Sequence, residues 1–185
     1  PLTENRYALQ NAEAWSALAG DMIIVSPNLT DWGDKSARQT LELTDYFIEN
    51  FSVDKNKIYA AGFSAGGETL SRAINMRPEL FAAYLHSASR WNGGYEKAAQ
   101  YRIPTYICMA QNDEYYGAQT AQTAYDGLRQ AYQSAGVPDS EIEKLLILDL
   151  KDNSYFDGTF AGNYHGGGSL FACDPSIINW LIDRL

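Results

Sequence analysis

The stretch IYAAGFSAGGETL, residues 58–70, holds the side chain with the clearest chemical potential, a serine among glycines. Gly62-Phe63-Ser64-Ala65-Gly66 follows the G-x-S-x-G pattern, in which a serine on a tight strand-to-helix turn adopts a strained backbone and projects its hydroxyl above a sheet. Gly62 and Gly66 are expected to give strand and helix the room to approach. The competing reading is a phosphate-binding loop, because GFSAGGET (62–69) has comparable glycine spacing followed by a charged residue and a hydroxyl. The charge has the wrong sign. Glu68 stands where a lysine should meet the phosphates, so it adds negative charge where the ligand already carries several.

A serine hydroxyl is a poor nucleophile at neutral pH; it needs a base to take its proton and a third group to orient that base. The sequence offers two histidines. His86 lies inside an expected strand, where a packed or hydrogen-bonded histidine is the ordinary outcome. His165 opens the cluster HGGGS (165–169), read as a mobile loop after the last strand, and is the candidate base. The chain order Ser, Asp, His then asks for an acid between them at a strand end. Asp113, just past the strand in YICMAQNDEYYG (106–117), meets that requirement, with Glu114 as the neighbouring alternative. Asp149, Asp152 and Asp157 read as solvated strand-end or loop charges, and their spacing does not make a calcium loop. Trp32, Trp91, Tyr95, Tyr115, Tyr116, Tyr155 and Tyr164 fall near expected strand ends, where they either line an acyl or sugar pocket or pack under loops. Trp32, Trp91 and Tyr116 are the substrate-binding candidates among them.

The elements that must position these groups alternate. Expected strands are DMIIVSPN (21–28), KIYAAGF (57–63), AAYLHSAS (82–89), PTYICMAQ (104–111) and KLLILDL (144–150), short and often continuously apolar, as strands covered on both faces are. Expected helices cover about 36–51, with Leu43, Phe47 and Phe51 on one apolar stripe beside Thr44 and Ile48; 67–77, stopped before Pro78; 119–135, ended by Gly136 and Pro138; and a last one capped by Asp174 with Pro175 at its first position, burying Ile177, Ile178, Leu181, Ile182 and Leu185. This alternation predicts a three-layer α/β sandwich around a mostly parallel sheet, with ligands at the carboxyl ends of the strands. No internal repeat or linker interrupts it, so residues 1–185 are read as one domain.

Composition narrows the partners. A formal charge of −9 across 185 residues repels a phosphate backbone, so nucleic acid is not expected. No apolar run approaches the roughly 20 residues of a membrane span and the start lacks a signal-peptide pattern, so the chain reads as soluble, with the cytoplasm favoured. Cys108 and Cys173 show neither metal-ligand nor disulfide-framework spacing and leave the compartment open. Neither a metal nor a cofactor is expected.

MIIVSPN, VDKNKIYAAGFSAGG (53–67) and RPELFAAYLHSAS (77–89), with the Asp113 and His165 segments, resemble the α/β-hydrolases, and within them esterases related to polyhydroxyalkanoate depolymerases, feruloyl esterases and prolyl oligopeptidase-like hydrolases. The resemblance implies Ser64 as nucleophile, Asp113 as acid, His165 as base and the Ala65 backbone N–H as one oxyanion donor. It also implies a second donor from an HG loop after an earlier strand. Nothing before Asp21 reads as that strand and loop, so the N-terminal strands are expected upstream of Pro1. The function expected is a serine hydrolase cleaving small-molecule or saccharide carboxylic esters through an acyl-enzyme. The alternatives are a prolyl oligopeptidase-type peptidase and a noncatalytic carbohydrate- or polyester-binding relative.

Overall fold

Four of the five expected strands form: β1 (Tyr59–Phe63), β2 (Ala83–Ser87), β3 (Thr105–Ala110) and β4 (Leu146–Lys151), hydrogen-bonded side by side in chain order in the computed structural model, which describes residues 6–159 and 162–183. Every neighbouring pair is parallel. Parallel neighbours cannot be joined by a hairpin, so a crossover must lie between them. Helix α3 (Ala65–Met76) joins β1 to β2, the short α4 (Glu96–Gln100) joins β2 to β3, and α5 (Ala118–Ser134) with α6 (Asp139–Leu145) joins β3 to β4. Before the sheet come α1 (Arg6–Ala19) and α2 (Asp34–Asn50); after it come α7 (Tyr164–Gly167), a 3₁₀ segment Gly168–Cys173 and α8 (Pro175–Ile182).

Strand alternation divides the core in two. Tyr84, Ile107 and Met109 face a layer holding Ala37 and Leu41 of α2, Ile74 of α3, and Leu128 and Tyr132 of α5. Leu85, Tyr106, Cys108 and Ala110 face the other way, against Trp15 of α1, Phe171 and the α8 residues Ile177, Ile178 and Leu181. Every residue of β2 and β3 is buried, which is why their sequences run apolar without alternation. The result is a helix–sheet–helix sandwich.

Several expectations are corrected. Residues 21–28 form no strand: they take no regular secondary structure, and Ile23, Ile24 and Val25 are exposed. A strand exists only through its ladder, and among the described residues the outer edge of β1 pairs with nothing. Between that edge, residues 22–25 and α2 runs an apolar groove of about 1220 Å³. Leu43 and Phe47 line it rather than filling the core, Ile48 lines it while also packing against the core, Phe51 is exposed, and the buried residues of α2 are Ser36, Ala37 and Leu41. Helices α1, α4 and α6 were not foreseen. HGGGS is not a loose loop but the helical turn α7 running into the 3₁₀ segment, with Gly167, Gly168 and Ser169 buried. Gly168 sits so close to the end of β2 that a Cβ there would meet the Ala88 Cβ at 2.5 Å. Asp174 does cap α8, accepting from the Ser176 N–H at 2.9 Å, whereas Leu185 lies outside the described residues.

The turn between β1 and α3 is closely packed. A Cβ at Gly62 would lie 2.8 Å from the backbone of Gly66 and Gly67, and one at Gly67 would lie 2.5 Å from Ser89, whereas one at Gly66 meets nothing within 4 Å. The steric need is therefore at positions 62 and 67, not 62 and 66. Gly62→Ala should lower stability by about 1–3 kcal/mol through overpacking, and Gly66→Ala should leave it unchanged or raise it by about 0.5–1 kcal/mol through helix propensity. Urea melts of the two variants beside the parent chain check the contrast.

Candidate active site

Ser64 occupies the N-cap of α3 with φ 53° and ψ −122°, a left-handed backbone that costs a non-glycine residue on the order of 1–3 kcal/mol. The turn is fastened to its surroundings. The Ser64 N–H donates to the Ser87 carbonyl at 3.0 Å, and the Ser64 carbonyl accepts from the Gly67 and Glu68 N–H groups and from the Ser89 hydroxyl at 2.6 Å. These bonds hold the side chain at the carboxyl end of the sheet.

The hydroxyl of Ser64 lies 3.0 Å from His165 Nε2, although 101 residues separate them. On the other side of the imidazole, Nδ1 is 2.9 Å from Asp113 Oδ2. Asp113 follows β3 directly and its side chain is fully buried. Its second oxygen, Oδ1, accepts from the N–H groups of Tyr115 at 2.9 Å and Tyr116 at 2.7 Å, with Gly117 at 3.4 Å, so the carboxylate organises its own loop while turning one edge to the histidine. The His165 ring lies among three others, with centroids 5.4 Å from Phe63, 5.2 Å from Tyr115 and 5.5 Å from Tyr116. Ala65 opens α3, where the leading N–H groups have no acceptor within the helix, and its N–H lies next to Ser64 in the chain.

Glu114 has a task that the sequence did not disclose. Its two carboxylate oxygens accept from the Tyr164 N–H at 3.1 Å and the His165 N–H at 2.9 Å. These bonds, that of His165 first, hold its carboxyl below the usual carboxylate range. The residue weighed as an alternative acid thus anchors the backbone that carries the histidine, and Asn163 completes the turn by accepting from the Gly166 N–H at 2.6 Å.

The remaining candidates are placed as follows. Tyr116 sits within the site, its hydroxyl donating to Glu68 at 2.7 Å. Trp91 is buried against Tyr84, His86 and Tyr95, so it packs beneath the site and exposes no ring to a ligand. Trp32 is 64% exposed in the turn before α2, and no ring contact or hydrogen bond of its side chain links it to Ser64, Asp113 or His165 among the described residues. Tyr115, 69% exposed, is the open ring next to His165. Asp149 is paired with Lys151 at 2.8 Å and with the Tyr106 hydroxyl at 2.7 Å, which makes it part of a fixed cluster rather than a solvated charge. Among the described residues no group of three or more His, Cys, Asp or Glu side chains is arranged to hold a metal ion, and no helix is long and apolar enough to cross a membrane.

His86 is fully buried behind this site. Its Nδ1 lies 2.7 Å from the Tyr84 hydroxyl and its Nε2 lies 3.2 Å from the Ser89 carbonyl. Burial drives its pKa from 6.5 down to about 4.

Strand order, the strained serine turn and the position of the three side chains at the strand ends define an α/β-hydrolase fold. The sequence profile of the prolyl oligopeptidase family matches residues 28–137, which include Ser64 and Asp113, and the chain belongs to that family. It is also similar to the crystal structure of a thermostable esterase, with a TM-score of 0.66 and 19% identity over 85% of this chain and 41% of the esterase. The chain thus spans less than half the length of that protein. Curated proteins returned no match.

Two expected outcomes follow from these contacts. Glu114→Ala frees the two N–H groups that place His165, so kcat for any substrate of the site should fall about tenfold while the melting temperature changes little, as for the loss of an exposed cap; steady-state kinetics and calorimetry test both parts. For His86 the unfolded chain takes up a proton near pH 6.5 and the folded chain only near pH 4, so stability should fall as pH drops through that window, by on the order of 3 kcal/mol. Urea melts at pH 7 and pH 4.5 should show this loss in the parent chain and a smaller one in His86→Asn.

Proposed function

We propose that the chain carries the catalytic residues of a serine hydrolase that cleaves carboxylic esters through an acyl-enzyme. The observation that supports this reading most is the continuous path Ser64–His165–Asp113, with heavy-atom separations of 3.0 and 2.9 Å. Both fall within the reach required of a nucleophile, its base and the group that orients the base.

In this reading Ser64 Oγ attacks the ester carbonyl carbon as its proton passes to His165 Nε2. Asp113 accepts from Nδ1–H throughout, fixing the tautomer and stabilising the imidazolium. The Ala65 N–H donates to the oxygen that becomes negative, and such a donor is worth on the order of a hundredfold or more in rate. When the tetrahedral intermediate collapses, the bond to the alcohol oxygen breaks and that oxygen takes the proton from His165. Water then attacks the acyl carbon, giving a proton to the same nitrogen, and the acid leaves as Ser64 is reprotonated. The chemistry asks for no cofactor. Tyr115 supplies an open aromatic face next to the base, suited to an aromatic or saccharide portion of a substrate.

The family match favours a second reading, a peptidase using the same residues on an amide bond. Parent chain and Ser64→Ala should be compared on a short-chain aryl ester and on a dipeptidyl anilide. The ester reading predicts turnover of the aryl ester by the parent and a loss of at least about a thousandfold in the variant. Faster turnover of the anilide would favour the peptidase. Binding of saccharide or polyester without hydrolysis would indicate a noncatalytic relative, and undiminished ester turnover by Ser64→Ala would exclude Ser64 as nucleophile.

A further inference from the structure

Glu68, the residue whose charge excludes a phosphate loop, is only 7% exposed and lies in the first turn of α3, one helical turn beyond the nucleophile. A carboxylate withdrawn this far from water must be compensated by donors. It has three. Oε1 accepts from the Tyr116 hydroxyl at 2.7 Å and from the Arg90 guanidinium at 3.2 Å, and Oε2 accepts from the Asn92 amide at 2.7 Å. Arg90 and Asn92 belong to the segment after β2, and Tyr116 to the segment after β3 that carries Asp113. One side chain on the nucleophile helix therefore ties together both neighbouring segments.

Tyr116 is the arm of this cluster that reaches the reacting atoms. Its N–H donates to Asp113 Oδ1, its ring lies against His165, and its hydroxyl makes a side-chain contact with Ser64 as well as with Glu68. Burial, and then the bond to Glu68, hold the phenol above its ordinary pKa, so it keeps its proton. That single proton has two neighbouring oxygens, Glu68 Oε1 and Ser64 Oγ. If it went to Ser64 Oγ it would occupy a lone pair that the nucleophile needs for attack.

We propose that Glu68 is a positioning residue that acts through Tyr116: by accepting the hydrogen bond of the phenol it keeps Tyr116 from donating to Ser64, and so leaves the Ser64 oxygen free to attack. This rests on the serine hydrolase reading of the site. A glutamine at position 68 can offer an N–H to the phenol oxygen, which reverses the bond and turns the phenolic proton toward Ser64. The cost then depends on Tyr116 having a hydroxyl at all. A residue that only held the loops together would show no such dependence.

The test is a double-mutant cycle read by the rate at which a fluorophosphonate labels Ser64, which reports activation of the hydroxyl independently of substrate preference. Glu68→Gln in the full chain should label about tenfold more slowly than the parent, the effect of one misdirected hydrogen bond at the nucleophile. In a Tyr116→Phe background the same change at 68 should alter the rate by less than about twofold. Equal slowing in both backgrounds, or no slowing in either, would overturn the proposal while leaving Ser64 as the labelled nucleophile. If the parent chain itself is not labelled at Ser64, the hydrolase reading fails and this inference with it. Should calorimetry show Glu68→Gln to be unfolded, Glu68→Asp, which keeps the charge but withdraws it from Tyr116, takes its place under the same criteria.

Discussion

The site depends on a buried carboxylate placed where a parallel strand ends. The Asp113 side chain has no exposure to water, so its charge is tolerable only if both oxygens are engaged. One oxygen is committed to the N–H groups of Tyr115 and Tyr116, and this folds the segment after β3 into a tight turn. The other is left with a single direction in which to find a donor, and His165 Nδ1 lies there at 2.9 Å. The same residue thus shapes the loop and aims the imidazole. Its neighbour Glu114 reaches across to the backbone of His165, so the segment after β3 holds that histidine by both ring and main chain.

Ser64 is held by different means. Ser64 sits in a backbone conformation that would relax if the turn were loose, and what prevents this is close packing at Gly62 and Gly67 together with the Ser89 hydroxyl on the Ser64 carbonyl. Behind the turn, Tyr84 donates to the Gly67 carbonyl at 3.0 Å and also contacts His86, so the buried polar residues of β2 brace the helix start. Rigid support on three sides is what a strained turn requires. Glu68 adds a charged tie across the top, joining the helix to Arg90, Asn92 and Tyr116.

Much of this was legible in the sequence because it rests on local rules. The runs at 82–89 and 104–111 are largely apolar since both faces of β2 and β3 are buried, and G-x-S-x-G marks a strand-to-helix turn by its small residues. What escaped notice depends on partners distant in the chain. Residues 21–28 have strand composition, yet composition cannot supply the neighbouring ladder a strand needs. Gly66 and Gly67 look equivalent until the position of Ser89 distinguishes them. HGGGS reads as mobile because glycine permits it, and only the approach of Ala88 shows that glycine is needed there for packing. Glu114 and Glu68 looked like a spare acid and a misplaced charge; their hydrogen-bond partners emerge only when the segments they bridge are brought together. Trp91 shows the converse, an aromatic near a strand end whose surroundings turn out to be core.

The claim that most of this account rests on is the direction of the hydrogen bonds through His165, and it can be measured. The chain has two histidines, so ring-labelled nitrogen-15 spectra are assignable with His86→Asn as reference. In mildly alkaline solution the His165 ring should carry its proton on Nδ1, with a downfield proton signal that disappears in Asp113→Ala, and Nε2 should be bare and able to accept from Ser64. A proton found on Nε2, or an Nδ1 signal indifferent to Asp113, would contradict the account.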